Sequence, residues 1–332
     1  MKVAVLGSGA WGTAFASRLA VNPAHEVTLW GRDVVALAAM AEQRVNAHYL
    51  PGVRLSERLQ FDGSLASASA SASLIILGAP VSATEGLLAQ LHERSRAPVL
   101  SLAKGFVAQG DEVALLPQVL ERFGRERNVA TGVISGPSFA SETARGLPLA
   151  LVCAMNDEAL SHELVHSLRD EAMRMYASAD VFGVSLCGAI KNVFAIAAGV
   201  CDGLALGANA RAALVTRGLA ELMRLVVACG GQPETVMGLA GVGDVLLTTT
   251  GDASRNRKVG LALASGKSLA DVLTELGHVA EGVYAARLAA RLAESKQVEL
   301  PITRAVAALL DGDVTPQDAI RALLTRKPRS EF

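Results

Sequence analysis

Between Gly183 and Cys201 a single side chain carries charge. The run GVSLCGAIKNVFAIAAGVC places Lys191 in an apolar helical pattern, with small Cys187 and Gly188 at i−4 and i−3. A lysine in such surroundings either snorkels to water or does chemistry. A partly desolvated amine beside a second cation such as Lys104 gives up its proton more readily and can exchange it with a substrate hydroxyl. Lys104 stands in SLAKGF, just past a predicted strand, where open parallel sheets bind ligands. Asp244 follows the glycine-rich GLAGVG and can anchor an ammonium. Ser254 is an expected N-cap for a helix from Arg255. Arg255 and Arg257 in the first turn oppose the helix dipole, a cost that a bound phosphate would reverse. The amides, Ser254, Arg255 and Asn256 could converge on that phosphate. In ISGPSFA, Gly136 and Pro137 make a turn that presents Ser138.

VAVLGSGAWGTAFA supplies a second anion cradle. Gly7, Gly9 and Gly12 match G-x-G-x-x-G directly after an apolar strand. Gly7 permits the turn, Gly9 the approach of a pyrophosphate, and Gly12 close packing of the helix on the strand. The amides at the start of the helix face the anion. After the second strand the chain reads Leu29-Trp30-Gly31-Arg32-Asp33. Arg32 suits a 2′-phosphate, so NADP(H) is the expected cofactor; Asp33 keeps NAD(H) open.

These residues need a frame. The 332 residues suit two domains. The first half alternates strand candidates, Lys2–Leu6, Val27–Trp30, Ser73–Leu77, Val99–Leu102, Val129–Ile134 and Ala150–Cys153, with helical patterns. That alternation implies a parallel, doubly wound, Rossmann-like sheet. Ser64–Ser73 reads as a helix and turn. After Asp180 helical segments dominate: Gly183–Gly199, Ala210–Cys229, Arg255–Ala264, Leu269–Leu276, Val283–Glu294 and Pro301–Asp311. The expectation is an α/β dinucleotide-binding domain over 1–180 and an all-helical substrate domain over 181–332, with a cleft between them.

Formal net charge is −1, so no global field attracts nucleic acid or anionic lipid, and an anionic ligand must be held locally. No run reaches ~18 consecutive apolar residues, and no membrane span is expected. The glycines after Met1-Lys2 break any resemblance to a secretion signal. Cys153, Cys187, Cys201 and Cys229 form no CxxC pair and read as reduced core thiols of a cytoplasmic protein; no metal is expected.

The motifs together identify a family. GSGAWGTAFA, LWGRD, NAHYLPG, AKGF, SGPSFASETARGLP, GAIKNVFAIAAGVCDGL, AALVTRGLAEL, GLAGVGD, SRNRKVG and EGVYAA run in order over nearly the whole chain. The chain resembles the bacterial, soluble type of NAD(P)-dependent glycerol-3-phosphate dehydrogenase. The resemblance implies reversible reduction of dihydroxyacetone phosphate to sn-glycerol 3-phosphate for phospholipid synthesis. It implies cofactor contacts at Ala10, Trp11, Arg32, Lys104, Ala140, Arg255, Val279 and Glu281. Substrate contacts are implied at Lys104, Gly136, Ser138, Lys191, Asp244, Ser254, Arg255 and Asn256. Lys191 would be the proton donor and acceptor, with Lys104 stabilising the developing oxyanion and Asp244 completing the catalytic set. A homodimer is also implied. Ser185 stands where the family commonly has Glu, and Ala79 where Val is common before Pro80. Two alternatives stay open: a β-hydroxyacid-type dehydrogenase with a carboxylate substrate, and a nucleotide-sensing module without catalysis.

Overall fold

The structure is a computed structural model that describes residues 1–93, 95–110, 112–276 and 281–326. By its contacts the chain divides into two compact units. One comprises Met1–Val107 with Ala114–Ser185, the other Ala108–Val113 with Leu186–Phe332. The division falls inside a continuous helix, Val181–Gly203, a few residues beyond the composition change at Asp180.

The first unit is built on an eight-stranded sheet. Its strands are β1 (Lys2–Leu6), β2 (Glu26–Trp30), β3 (Gln60–Asp62), β4 (Leu74–Leu77), β5 (Val99–Ser101), β8 (Thr131–Ser135), β9 (Leu149–Met155) and β10 (Met173–Ser178). β6 (Phe106–Gln109) and β7 (Glu112–Leu115) form a separate pair, whose turn end groups with the second unit. The order is β10-β9-β8-β5-β4-β1-β2-β3. From β3 to β8 all pairings are parallel, and β1 lies between β2 and β4. The chain therefore winds outward in both directions from β1, and the switch point lies where β1 and β4 end.

One feature departs from the all-parallel expectation: β9 runs antiparallel to β8. Only the short helix Ala140–Ala144 lies between them, less than a β-α-β crossover uses. β10 then returns parallel to β9.

The strands are apolar because both faces are covered. All four residues of β4 and all five of β8 are buried. Phe15 and Leu19 of helix Ala10–Leu19 pack with Val3, Val5, Leu29 and Ile76 in one continuous core. The expected helix near Ser64 spans Leu65–Ala70, and Ser64 Oγ accepts from Ser67 N–H at its start.

From Leu186 onward the described residues contain helices and no strand. Val181–Gly203 is the one described helix long and apolar enough to cross a membrane, with a mean hydropathy of 1.8. Its apolar window is 89% buried, so that apolarity is spent on the protein core. Arg255–Ala264, Leu269–Leu276 and Pro301–Asp311 begin and end where their sequence patterns do. Pro233–Met237, Asp244–Thr250 and Pro316–Leu324 are helices beyond those expected.

Candidate active site

In the first unit the glycine loop joins β1 to helix Ala10–Leu19. Gly7 has φ +132°, and a Cβ there would lie 2.6 Å from the backbone of Gly78 and Ala79. A Cβ on Gly12 would strike the Gly7 carbonyl oxygen. Gly78, at the end of β4, completes this contact: its added Cβ would lie 2.8 Å from Gly12 Cα. These three positions are closed by packing. Gly9 differs, because nothing lies within 4 Å of the point where its Cβ would stand. It caps a helix whose start has no side-chain cap. An open approach at Gly9 and uncapped amides behind it fit a dinucleotide pyrophosphate.

The loop is held from below by Asn46, which is buried. Its Nδ2 donates to Ser8 O at 3.0 Å and Thr13 Oγ1 at 2.9 Å, while its Oδ1 accepts from Tyr49 N–H. Asn46 lies in the quoted NAHYLPG motif, but no spacing rule reveals that its amide clamps the loop. Trp11 stands half-buried, with its ring edge against Phe15.

At the end of β2, Asp33 is committed: its Oδ1 accepts from Ala36 N–H at 2.9 Å, capping helix Val34–Gln43. Arg32 is exposed and makes no hydrogen bond or ion pair among the described residues. Lys104 is buried just beyond β5. Gly136 has φ +143°, and a Cβ there would lie 2.8 Å from Ala150 O. Ser138 Oγ donates back to Gly136 O at 2.9 Å, fixing the turn. Ala140 opens the short helix that follows.

In the second unit the Lys191 ammonium is bound bidentately by Asp244, with Nζ 2.7 Å from Oδ1 and 2.6 Å from Oδ2. The Asp244 side chain is fully buried and that of Lys191 is 14% exposed. The neighbour within this unit is therefore Asp244, the residue the sequence offered as an anchor for an ammonium. Asp244 starts helix Asp244–Thr250 after a π turn over Leu239–Gly243. Within that helix Thr248 donates to Asp244 O at 2.6 Å.

Ser254 caps helix Arg255–Ala264, its Oγ accepting from Arg257 N–H. Asn256 faces inward. Its Nδ2 donates to Asn192 Oδ1 at 2.9 Å, and its Oδ1 accepts from Gly282 N–H at 3.1 Å. A Cβ on Gly282 would lie 2.7 Å from Asn256 Oδ1. Asn192, next to Lys191, thus tethers the Arg255 turn to the lysine's helix. Arg257 is held by two carboxylates: its Nε and Nη2 both donate to Asp202 Oδ2, and its Nη1 donates to Asp252 Oδ1 at 3.0 Å. Arg255 is exposed and unpaired among the described residues. Glu281 is exposed at the start of helix Glu281–Ser295. Val279 lies outside the described residues.

Among the described residues, no group of three or more His, Cys, Asp or Glu could hold a metal ion. None of the four cysteines is in a disulfide, and burial pushes the Cys153 thiol up to about 12.

Residues 2–161 match the NAD-dependent glycerol-3-phosphate dehydrogenase N-terminus, and residues 180–321 match the C-terminus of the same family. The chain belongs to the NAD-dependent glycerol-3-phosphate dehydrogenase family. It is an oxidoreductase of that family. A glycerol-3-phosphate dehydrogenase (NAD(P)+) of Polaromonas sp. is 49% identical over the full length of both chains. That of Cupriavidus necator is 50% identical, again over both full lengths. The crystal structure of glycerol-3-phosphate dehydrogenase from Coxiella burnetii superposes with a TM-score of 0.90 at 38% identity, covering 98% of this chain and 99% of the other.

Proposed function

We propose that this dehydrogenase interconverts dihydroxyacetone phosphate and sn-glycerol 3-phosphate, with NADP(H) preferred over NAD(H) and Lys191 as the proton donor. The observation that carries the reading is the Lys191 amine, set in an apolar helix and gripped by a fully buried Asp244. A solvated surface lysine has no need of such a partner; a proton donor needs its charge kept and its direction set.

The bound nicotinamide supplies the hydride. In the reducing direction Lys191 gives a proton to the oxygen that becomes the hydroxyl. Its positive charge stabilises that oxygen as negative charge develops. Asp244 holds the ammonium in place before the transfer. Lys104 contributes a second positive charge, an assignment supported by its place beyond β5 and by the AKGF motif. Arg255, exposed beside the capped helix start, is assigned to the substrate phosphate and the cofactor. Asn256 keeps one amide proton for the same phosphate. Ser254, Gly136 and Ser138 shape the turns that line the substrate.

For the cofactor, Gly9, Ala10 and Trp11 are assigned to the pyrophosphate, with Gly7 and Gly12 forming the packed turn that presents them, Arg32 to the 2′-phosphate, and Ala140, Val279 and Glu281 to the remaining contacts. Asp33 is occupied as a helix cap, which supports NADP(H). The unbridged cysteines support a reducing compartment, the cytoplasm. A homodimer and a supply of glycerol 3-phosphate to phospholipid synthesis rest on family resemblance.

The test compares NADPH oxidation with dihydroxyacetone phosphate and with small 3-oxo acids. Fast turnover of the phosphate ester alone is expected. Equal or faster turnover of the acid would return the β-hydroxyacid alternative, and none on either the sensing module.

A further inference from the structure

The Lys191 amine and the Ser254–Asn256 turn stand on two helices of the second unit, Val181–Gly203 and Arg255–Ala264. If the turn holds a substrate phosphate, as proposed above, it serves the proton donor only when these helices keep one register. The contacts along their crossing differ in kind. Beside Lys191, Asn256 is tied to Asn192. Further on the two backbones meet. A Cβ on Gly199 would strike the Arg257 carbonyl, and one on Gly260 would strike the Ile196 carbonyl. An added Cβ on Gly203 would lie 2.6 Å from Ala264 Cβ.

Small residues let helices approach but offer few ridges to stop one sliding along the other. A directional charged contact can. Asp202, one residue before Gly203, supplies it. Its Oδ2 accepts from Arg257 Nε at 2.9 Å and Nη2 at 2.7 Å, and its Oδ1 accepts from Arg211 Nη1 at 2.8 Å. The Asp202 and Arg257 side chains are only 14% and 13% exposed, so solvent screens the pair weakly. Asp202 also offsets the unfavourable first-turn charge of Arg257. The two arginines of SRNR thereby separate in role: Arg257 is engaged by Asp202 and, through Nη1, by the exposed Asp252 at 3.0 Å on its own turn, and Arg255 is left outward.

We propose that Asp202 is a positioning residue for phosphate recognition, setting through Arg257 the height of the Ser254–Asn256 turn relative to Lys191.

The experiment uses full-length enzyme as wild type, Asp202→Asn, Arg257→Lys and Arg255→Ala. Steady-state kinetics are measured on dihydroxyacetone phosphate and on dihydroxyacetone, which lacks the phosphate. Inhibition by inorganic phosphate and a thermal melt are recorded for each. Asp202→Asn is expected to raise KM for dihydroxyacetone phosphate and the inhibition constant of inorganic phosphate by about tenfold or more. Its kcat/KM on dihydroxyacetone should stay within about threefold of wild type, which a general folding defect would not allow. Arg257→Lys keeps the charge but loses the fork, and should show the same selective change at smaller size. Unchanged phosphate kinetics in both variants, or a parallel loss on both substrates, overturns the proposal. If Arg255→Ala is selective for the phosphate while Asp202→Asn is not, only the positioning role fails. If Arg255→Ala also leaves the preference for the phosphate ester intact, the phosphate reading itself fails.

Discussion

Lys191 and Asp244, separated by 53 residues of chain, form a two-pronged ion pair with both N–O distances below 2.8 Å. A buried pair of this kind is not mainly a source of stability, because desolvation cancels much of the attraction. Its value is geometric: it fixes where the ammonium points.

Lys191→Ala should lower kcat on dihydroxyacetone phosphate about a hundredfold or more. NADPH affinity, followed by fluorescence titration, should stay near normal. Turnover close to wild type would remove Lys191 from the chemistry. Asp244→Asn should lower activity and also reduce stability by about 3 kcal/mol, since it leaves a partly buried charge without its partner.

The glycine loop gives a contrasting pair. Gly12→Ala drives a methyl into the Gly7 carbonyl and should cost about 1–3 kcal/mol, read as a lower melting temperature. Gly9→Ala meets open space at an ordinary φ of −71°. It should leave the melt unchanged and weaken NADPH about tenfold, roughly 1.4 kcal/mol. Equal effects of the two substitutions on the melt would show that Gly9 is a packing residue.

Much of this is legible in the sequence. The β1–loop–helix unit was readable because each glycine has a mechanical purpose at a fixed offset, and Ser254 because a cap must precede an apolar period. β10 was hidden: Met173–Ser178 buries only Met173 fully and exposes Arg174 and Tyr176, too weakly apolar to read as a strand. The reversal of β9 was hidden too, since periodicity carries no strand direction. Asn46 and Asp202 act on partners 33 and 55 residues away. No local pattern encodes such pairs.

Arg32→Ala should lower kcat/KM for NADPH about ten- to a hundredfold while changing NADH by less than about threefold. The check is the ratio of initial rates with the two cofactors. A parallel fall in both would move Arg32 to adenine stacking.

Glu221 makes stability depend on pH. Burial pushes its carboxyl up from 4.5 to about 7, against the opposing hydrogen bonds from Ile302 and Thr303 N–H. The folded chain therefore binds this proton more tightly than the unfolded chain. The contribution is fully present below about 4.5 and is lost as pH rises through about 7. Its size is on the order of 3 kcal/mol. Urea midpoints of wild type should fall from pH 5 to pH 8 more steeply than those of Glu221→Gln. Parallel curves would remove Glu221 as the source.

The hydrogen bond from Ala36 N–H to Asp33 has a bearing on redesign. An acid at the tip of the second strand is the usual handle for steering a dehydrogenase toward the unphosphorylated dinucleotide. In this chain that handle is already spoken for. Turning it toward a ribose would uncap helix Val34–Gln43 and sacrifice about 1 kcal/mol. Selectivity and thermal robustness are thus traded at one carboxylate, and a swap at Arg32 by itself leaves that exchange unmade.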